Sequence, residues 1–181
     1  MKGVVFTEFL EMVEDIFSPD IADQIVEEAD LPSGGVYTAV GTYDHDEIVA
    51  LVQNLSIETN LGVDELLHTF GKHLFGRFVE GYPVFFEGRQ DAFKFLQSVE
   101  EYIHVEVKKL YPDADLPSVI ASLESPDHLK IVYRSDRNMG DLAQGLIEGC
   151  IKHFDEPIAV LRSEASAASG HQTEFDLVRA A

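Results

Sequence analysis

The apolar residues of this chain change period part-way along it, and that change restricts the fold more than any other feature. Up to about Leu110 they recur at steps of three and four, the spacing of one face of an α-helix. From His128 to Ser135 they alternate: Leu129, Ile131, Tyr133 and Ser135 fall on one side of an extended chain, and Lys130, Val132 and Arg134 on the other. Helices first, then strands interrupted by one more helix, predict an α+β fold. In it an N-terminal helical part packs over a C-terminal antiparallel sheet with intervening helices.

In the helical part, Val5, Phe9, Met12, Val13 and Ile16 mark a first helix over about 4–17. Ser18-Pro19-Asp20 ends it and caps a second over about 20–29. Residues 31–45, rich in Gly, Pro and Ser, read as a loop. Asp46 is placed to cap a helix with Ile48, Leu51, Val52 and Leu55. Asp64 is placed to cap another with Leu67, Phe70, Leu74 and Phe78, which Tyr82-Pro83 closes. Phe95, Val99, Ile103 and Val107 predict one long helix over about 91–110. Strands come next over 118–124 and 128–135, then a helix over about 139–154 and strands over 157–163 and 173–180. The small polar stretch 164–170 reads as a flexible hairpin connection. The expectation is a single domain over 1–181, its helical part covering about 1–63 and its helix-and-sheet part about 64–181.

Thirteen Lys and Arg stand against 33 Asp and Glu, a net charge of −20. Such a field repels nucleic-acid backbones and anionic membranes, so neither is an expected partner. A hydrophobic share of 45%, with 12 Phe and 6 Tyr, supplies a core and argues against disorder. One cysteine, Cys150, excludes an internal disulfide and a cysteine-based zinc cluster. No apolar segment resembles a secretory signal or a membrane span, so a cytoplasmic protein is expected.

Phosphate-cradling glycine motifs and nucleophile-elbow patterns are missing. His68 and His73 lie about 140° apart round a helix and share no face. His45 sits among Asp44, Asp46 and Glu47, a group that reads as a helix start in an acidic loop. Two segments differ. His104 lies beside the apolar stripe of the long helix, and Tyr133-x-Ser135-x-Arg137 sets a phenol, a hydroxyl and a guanidinium along one side of a continued strand. Each alone has a bland reading, a core histidine or a solvated strand face. Together they fit a ligand with a metal at its centre and carboxylates at its edge, which describes haem.

With these residues in view, the chain resembles the haem-nitric oxide/oxygen binding (H-NOX) domain, the bacterial relative of the haem domain of soluble guanylate cyclase. The likeness rests on the Met1-Lys2-Gly3 start, on His104 followed by Leu110-Tyr111-Pro112, and on Tyr133-x-Ser135-x-Arg137 at its distance from His104. It implies haem b buried between the two parts, with His104 as proximal iron ligand and Tyr133, Ser135 and Arg137 on the propionates. Pro117 matches a proline that presses on the porphyrin. Val5, Phe9, Leu74, Phe78, Leu142 and Leu146 would build the distal pocket.

The resemblance also implies a ligand preference. Oxygen-binding members carry a tyrosine at the position of Leu142 and an asparagine at that of Leu74. A bound oxygen molecule gains from a hydrogen-bond donor, and nitric oxide on ferrous iron needs one far less. The expectation is therefore a nitric oxide sensor, not an enzyme, that also binds carbon monoxide and excludes oxygen. Nitric oxide would weaken the bond from iron to His104. The resulting change of shape would be read by a separate sensor histidine kinase or a cyclic-di-GMP synthase or hydrolase. Two rivals are a haem enzyme acting on nitric oxide or peroxide and a haem-free helical module holding another small anion. The first requires a distal acid–base group that these residues lack.

Overall fold

The computed structural model describes residues 1–167 and 170–180. Its helices are α1 (Gly3–Ile16), α2 (Pro19–Glu27), α3 (His45–Thr59), α4 (Val63–Gly81), α5 (Ala92–Ser98), α6 (His104–Leu110) and α7 (Gly140–Phe154). A 3-10 turn, Pro83–Phe85, comes after α4. Its strands are β1 (Ser118–Ser125), β2 (His128–Ser135), β3 (Ile158–Ala167) and β4 (Gly170–Arg179), joined antiparallel in the order β1-β2-β4-β3. This is the α+β layout that the two periods predict. Among the described residues no helix is long and apolar enough to cross a membrane.

Two apolar cores form. Phe6, Phe9, Met12 and Val13 of α1 meet Ile25, Ile48, Leu51, Leu55 and Phe70 in the first. Leu129, Ile131 and Tyr133 of β2 and Phe175 and Leu177 of β4 meet Phe93, Phe95, Ala143 and Ile147 in the second. Helix α4 serves both, with Phe70 and Leu74 in one and Phe75 in the other. It crosses α7 at glycines: a Cβ on Gly71 would lie 2.4 Å from the Leu142 carbonyl oxygen, and one on Gly145 2.2 Å from that of His68. Only residues without a side chain let two backbones come this close. The crossing sets Leu74 and Phe78 of α4 beside Leu142 and Leu146 of α7.

Several local expectations are corrected. Asp44, not Asp46, caps α3, its carboxylate accepting the Asp46 N–H at 3.1 Å. Asp46 falls in the first turn, where its charge suits the helix dipole. Gly62 stands at the cap of α4 and Asp64 likewise falls in the first turn. The long helix over 91–110 is interrupted by a π-helical turn, Val99–Ile103. Steps of four overshoot a turn of 3.6 residues, so Phe95, Val99, Ile103 and Val107 would drift round a regular helix; a wider turn removes part of that drift. The stretch expected to be a flexible connection instead extends both strands, pairing Glu164 with Thr173 and Ala167 with Gly170; residues 168 and 169 lie outside the described ones. Small polar residues remain extended there because an in-register partner satisfies their backbone.

Candidate functional site

A cavity of about 330 Å³ opens between the N-terminal helices, the α4–α7 crossing, α6 and the sheet. That is within the range of about 300–1,000 Å³ for small-molecule sites. Its wall includes Val5, Leu74, Phe78, His104, Pro117, Tyr133, Ser135, Arg137, Leu142 and Leu146. Phe9, expected beside them, does not line it. Its ring is fully buried in the first core, edge-on to Phe70 with centroids 5.2 Å apart, because the inner face of α1 is turned toward α2 and α4.

One side of the wall is polar. His104 opens α6 directly after the π turn, its side chain 18% exposed, with Nδ1 3.1 Å from Glu100 Oε2. Burial lowers its pKa below the usual histidine value, against an opposing pull from the Glu100 hydrogen bond. The ring is therefore neutral near pH 7, and Nε2 is the nitrogen left with a lone pair that a metal could take. Tyr133 ends the buried alternation of β2, and burial raises its pKa against the Ser135 hydrogen bond and the Arg137 charge, so its phenol stays a donor.

Strand β2 stops at Ser135, so strand alternation does not place Arg137 as expected. A turn places it. The Arg137 N–H donates to Ser135 Oγ at 3.2 Å, and its guanidinium holds the Asp115 carbonyl at 2.9 Å and the Asp115 carboxylate. The Arg137 side chain is 14% exposed and that of Asp115 83%, so the fork sits inside and its carboxylate partner outside. A ligand carboxylate reaching from the cavity suits the same donors.

The other side of the wall is hydrocarbon: Val5, Leu74, Phe78, Leu142 and Leu146. Tyr82 and Lys2 also reach the wall. Burial, with Tyr111 nearby, raises the pKa of Tyr82, so its phenol stays protonated. Lys2 donates to the Val40 carbonyl and to Thr42 Oγ1, each at 2.8 Å, and pairs with Asp113 at 3.3 Å. This gives the Met1-Lys2-Gly3 start a structural role. A Cβ on Gly3 would lie 1.9 Å from the Thr38 carbonyl oxygen, so only glycine lets the chain start lie against that loop. Sequence reasoning missed Lys2, Asp115 and Glu100 as parts of the site. For Glu100 the four-residue step to His104 was the available signal.

His45, His68 and His73 are not among the residues lining the cavity. His68 lies 3.1 Å from Glu148 and His73 3.8 Å from Glu8, each in its own ion-pair cluster. Ligating atoms of Asp44, His45 and Asp46 fall within 4.8 Å of one another, at the start of α3 where Asp44 already serves as cap.

A neutral imidazole and a group of hydrogen-bond donors suited to carboxylates, in one apolar cavity, fit haem. The haem-NO-binding family model matches residues 2–162. The chain belongs to this family. Its solved relatives are H-NOX proteins. The Fe(II) unliganded H-NOX protein from K. algicida is 36% identical, with 100% of this chain and 97% of that chain covered and a TM-score of 0.92. H-NOX from Shewanella woodyi, solved in solution in the Fe(II)CO state with IWP-051 bound, is 37% identical over 99% of this chain and 95% of that one, TM-score 0.84. A point mutant of T. tengcongensis H-NOX is 26% identical over 99% and 97%, TM-score 0.89. No curated protein sequence matches the chain. H-NOX domains bind haem and are gas sensors, not enzymes.

Proposed function

We propose that this H-NOX domain, one unit over 1–181 divided near residue 63, is a cytoplasmic nitric oxide sensor. It would hold ferrous haem b and exclude oxygen. The asymmetry of the cavity wall carries this reading: His104 and the Tyr133, Ser135 and Arg137 donors stand in one cavity with a cluster of side chains that offers no donor. His104 would hold the iron through Nε2, Tyr133, Ser135 and Arg137 the propionates, and Pro117 would press on the porphyrin. When bound, haem would supply an iron able to take a diatomic gas. Val5, Leu74, Phe78, Leu142 and Leu146 would surround that gas, with Phe9 behind them supporting α1. Stable oxygen binding develops negative charge that draws on a donor, and hydrocarbon supplies none; nitric oxide and carbon monoxide depend on one far less.

The signal would pass through His104. If nitric oxide weakened the hold of His104 on the haem, α6 and the strand bearing Tyr133 and Ser135 would relax relative to the N-terminal helices. A separate sensor histidine kinase or cyclic-di-GMP synthase or hydrolase would read the altered surface. It responds only if it binds the two shapes with different affinity. Absorption spectra of the ferrous protein test the proposal. Nitric oxide and carbon monoxide are expected each to shift the Soret band, and air to yield no stable oxygen adduct. A stable oxygen adduct of the unmodified protein overturns the selectivity, and a protein that refuses haemin overturns the whole reading.

A further inference from the structure

We infer that Glu100 is the positioning residue of His104 and joins it to the edge of the sheet. A single carboxylate oxygen, Oε2, lies 3.1 Å from His104 Nδ1 and accepts the Val119 N–H at 3.0 Å. The first bond places the ring proton on Nδ1 and leaves the lone pair on Nε2, the tautomer an iron ligand requires. A carboxylate in this place also orients the ring and raises its basicity. The second bond distinguishes the arrangement from an ordinary pair of residues four apart on a helix surface, which contributes little. It anchors the Glu100 side chain, itself 42% exposed, to β1.

The local backbone supports this role. Glu100 lies within the π turn Val99–Ile103, and the His104 N–H closes that turn on the Val99 carbonyl. A π turn holds more residues than an α-helical one, so it changes the facing of His104 relative to a regular continuation of α5. Val119 is paired in the sheet with Tyr133. One side chain thus connects the residue that would hold the iron with the strand that would hold the propionates, and a shift of the ring is passed to the β1–β2 pair. This rests on the assignment of His104 as iron ligand.

Glu100→Gln and Glu100→Ala, each loaded with haem, test it, with His104→Gly offered haemin without imidazole as the control. The readouts are the iron–histidine stretching band of the ferrous protein, the rate of haem transfer to an acceptor, and hydrogen exchange at the Val119 amide. Glu100→Gln keeps an acceptor for Val119 and so keeps the local fold. Its neutral amide polarises Nδ1–H less, and the stretching band moves to lower frequency. Glu100→Ala moves the band at least as far, speeds haem loss roughly 10- to 100-fold and speeds exchange at Val119. An unchanged band in both variants overturns the positioning role. Should the alanine variant not fold, the glutamine variant alone decides. A wild-type band surviving in His104→Gly overturns the ligand assignment and this inference with it, a result distinct from failure at Glu100.

Discussion

The two sides of the cavity are built in opposite ways. The polar side comes from places where regular structure breaks: a π turn before His104, the end of β2 at Ser135, and the turn that holds Arg137 against Asp115. The apolar side comes from regular structure at its most continuous, the glycine crossing of α4 and α7 that brings Leu74 and Phe78 up to Leu142 and Leu146. A polar group must be aimed within the tight geometry of a hydrogen bond, and departures from helix or strand allow that aim. An apolar group has only to fill space and exclude water, which helical periodicity does unaided. In the proposed function the first side holds the ligand and the second chooses the gas by the donors it withholds.

The largest expected effect comes from removing the one imidazole of the polar side. His104→Gly should emerge without haem when expressed without added ligand, and imidazole in the medium should restore it by filling the vacated space. Haem content from the ratio of Soret to protein absorbance checks this, and full haem with an unchanged ferrous spectrum removes His104 from its role. Next comes Arg137→Ala. A charged hydrogen bond is worth about 1.5–3 kcal/mol, so haem transfer to an acceptor should speed about tenfold to hundredfold. Ser135→Ala, which loses a neutral hydroxyl, should change it less. Transfer rates that match wild type in both variants remove the propionate role. The smallest effect should come from the apolar side. Leu142→Tyr adds a hydroxyl worth about 1.5 kcal/mol if well aligned, or about tenfold in oxygen affinity, and it must fit beside Phe78 and Leu146. Oxygen titration of the ferrous variant measures this, and a variant indifferent to oxygen shows that a lone phenol without an orienting partner at Leu74 is not enough.

The same contrast explains what was legible beforehand. His104 and the Tyr133, Ser135 and Arg137 group stood out because their chemistry is scarce against their apolar neighbours, and the structure places all four on one cavity. Phe9 lies in the first core, and its side chain does not line the cavity. An apolar residue on an amphipathic helix is marked as buried but not as to what it is buried against. The π turn was missed because apolar steps of four do not distinguish a helix that drifts from one that widens. Asp44 and Asp46 both suit the start of a helix, and the cap went to the one whose carboxylate reached a free N–H two residues on.

By itself, then, the sequence determined what depends on local pattern: helices before strands, the alternation of β2, the net charge of −20, and the scarce side chains that the proposed function assigns to haem. Tertiary structure alone decided what depends on distance between remote segments. It set Glu100 between His104 and the Val119 amide, Asp115 on the Arg137 fork, and Lys2 on Asp113. Side-chain hydrogen bonds between distant residues leave no period in a sequence. Their partners are named only when packing of the two cores fixes the backbones that carry them.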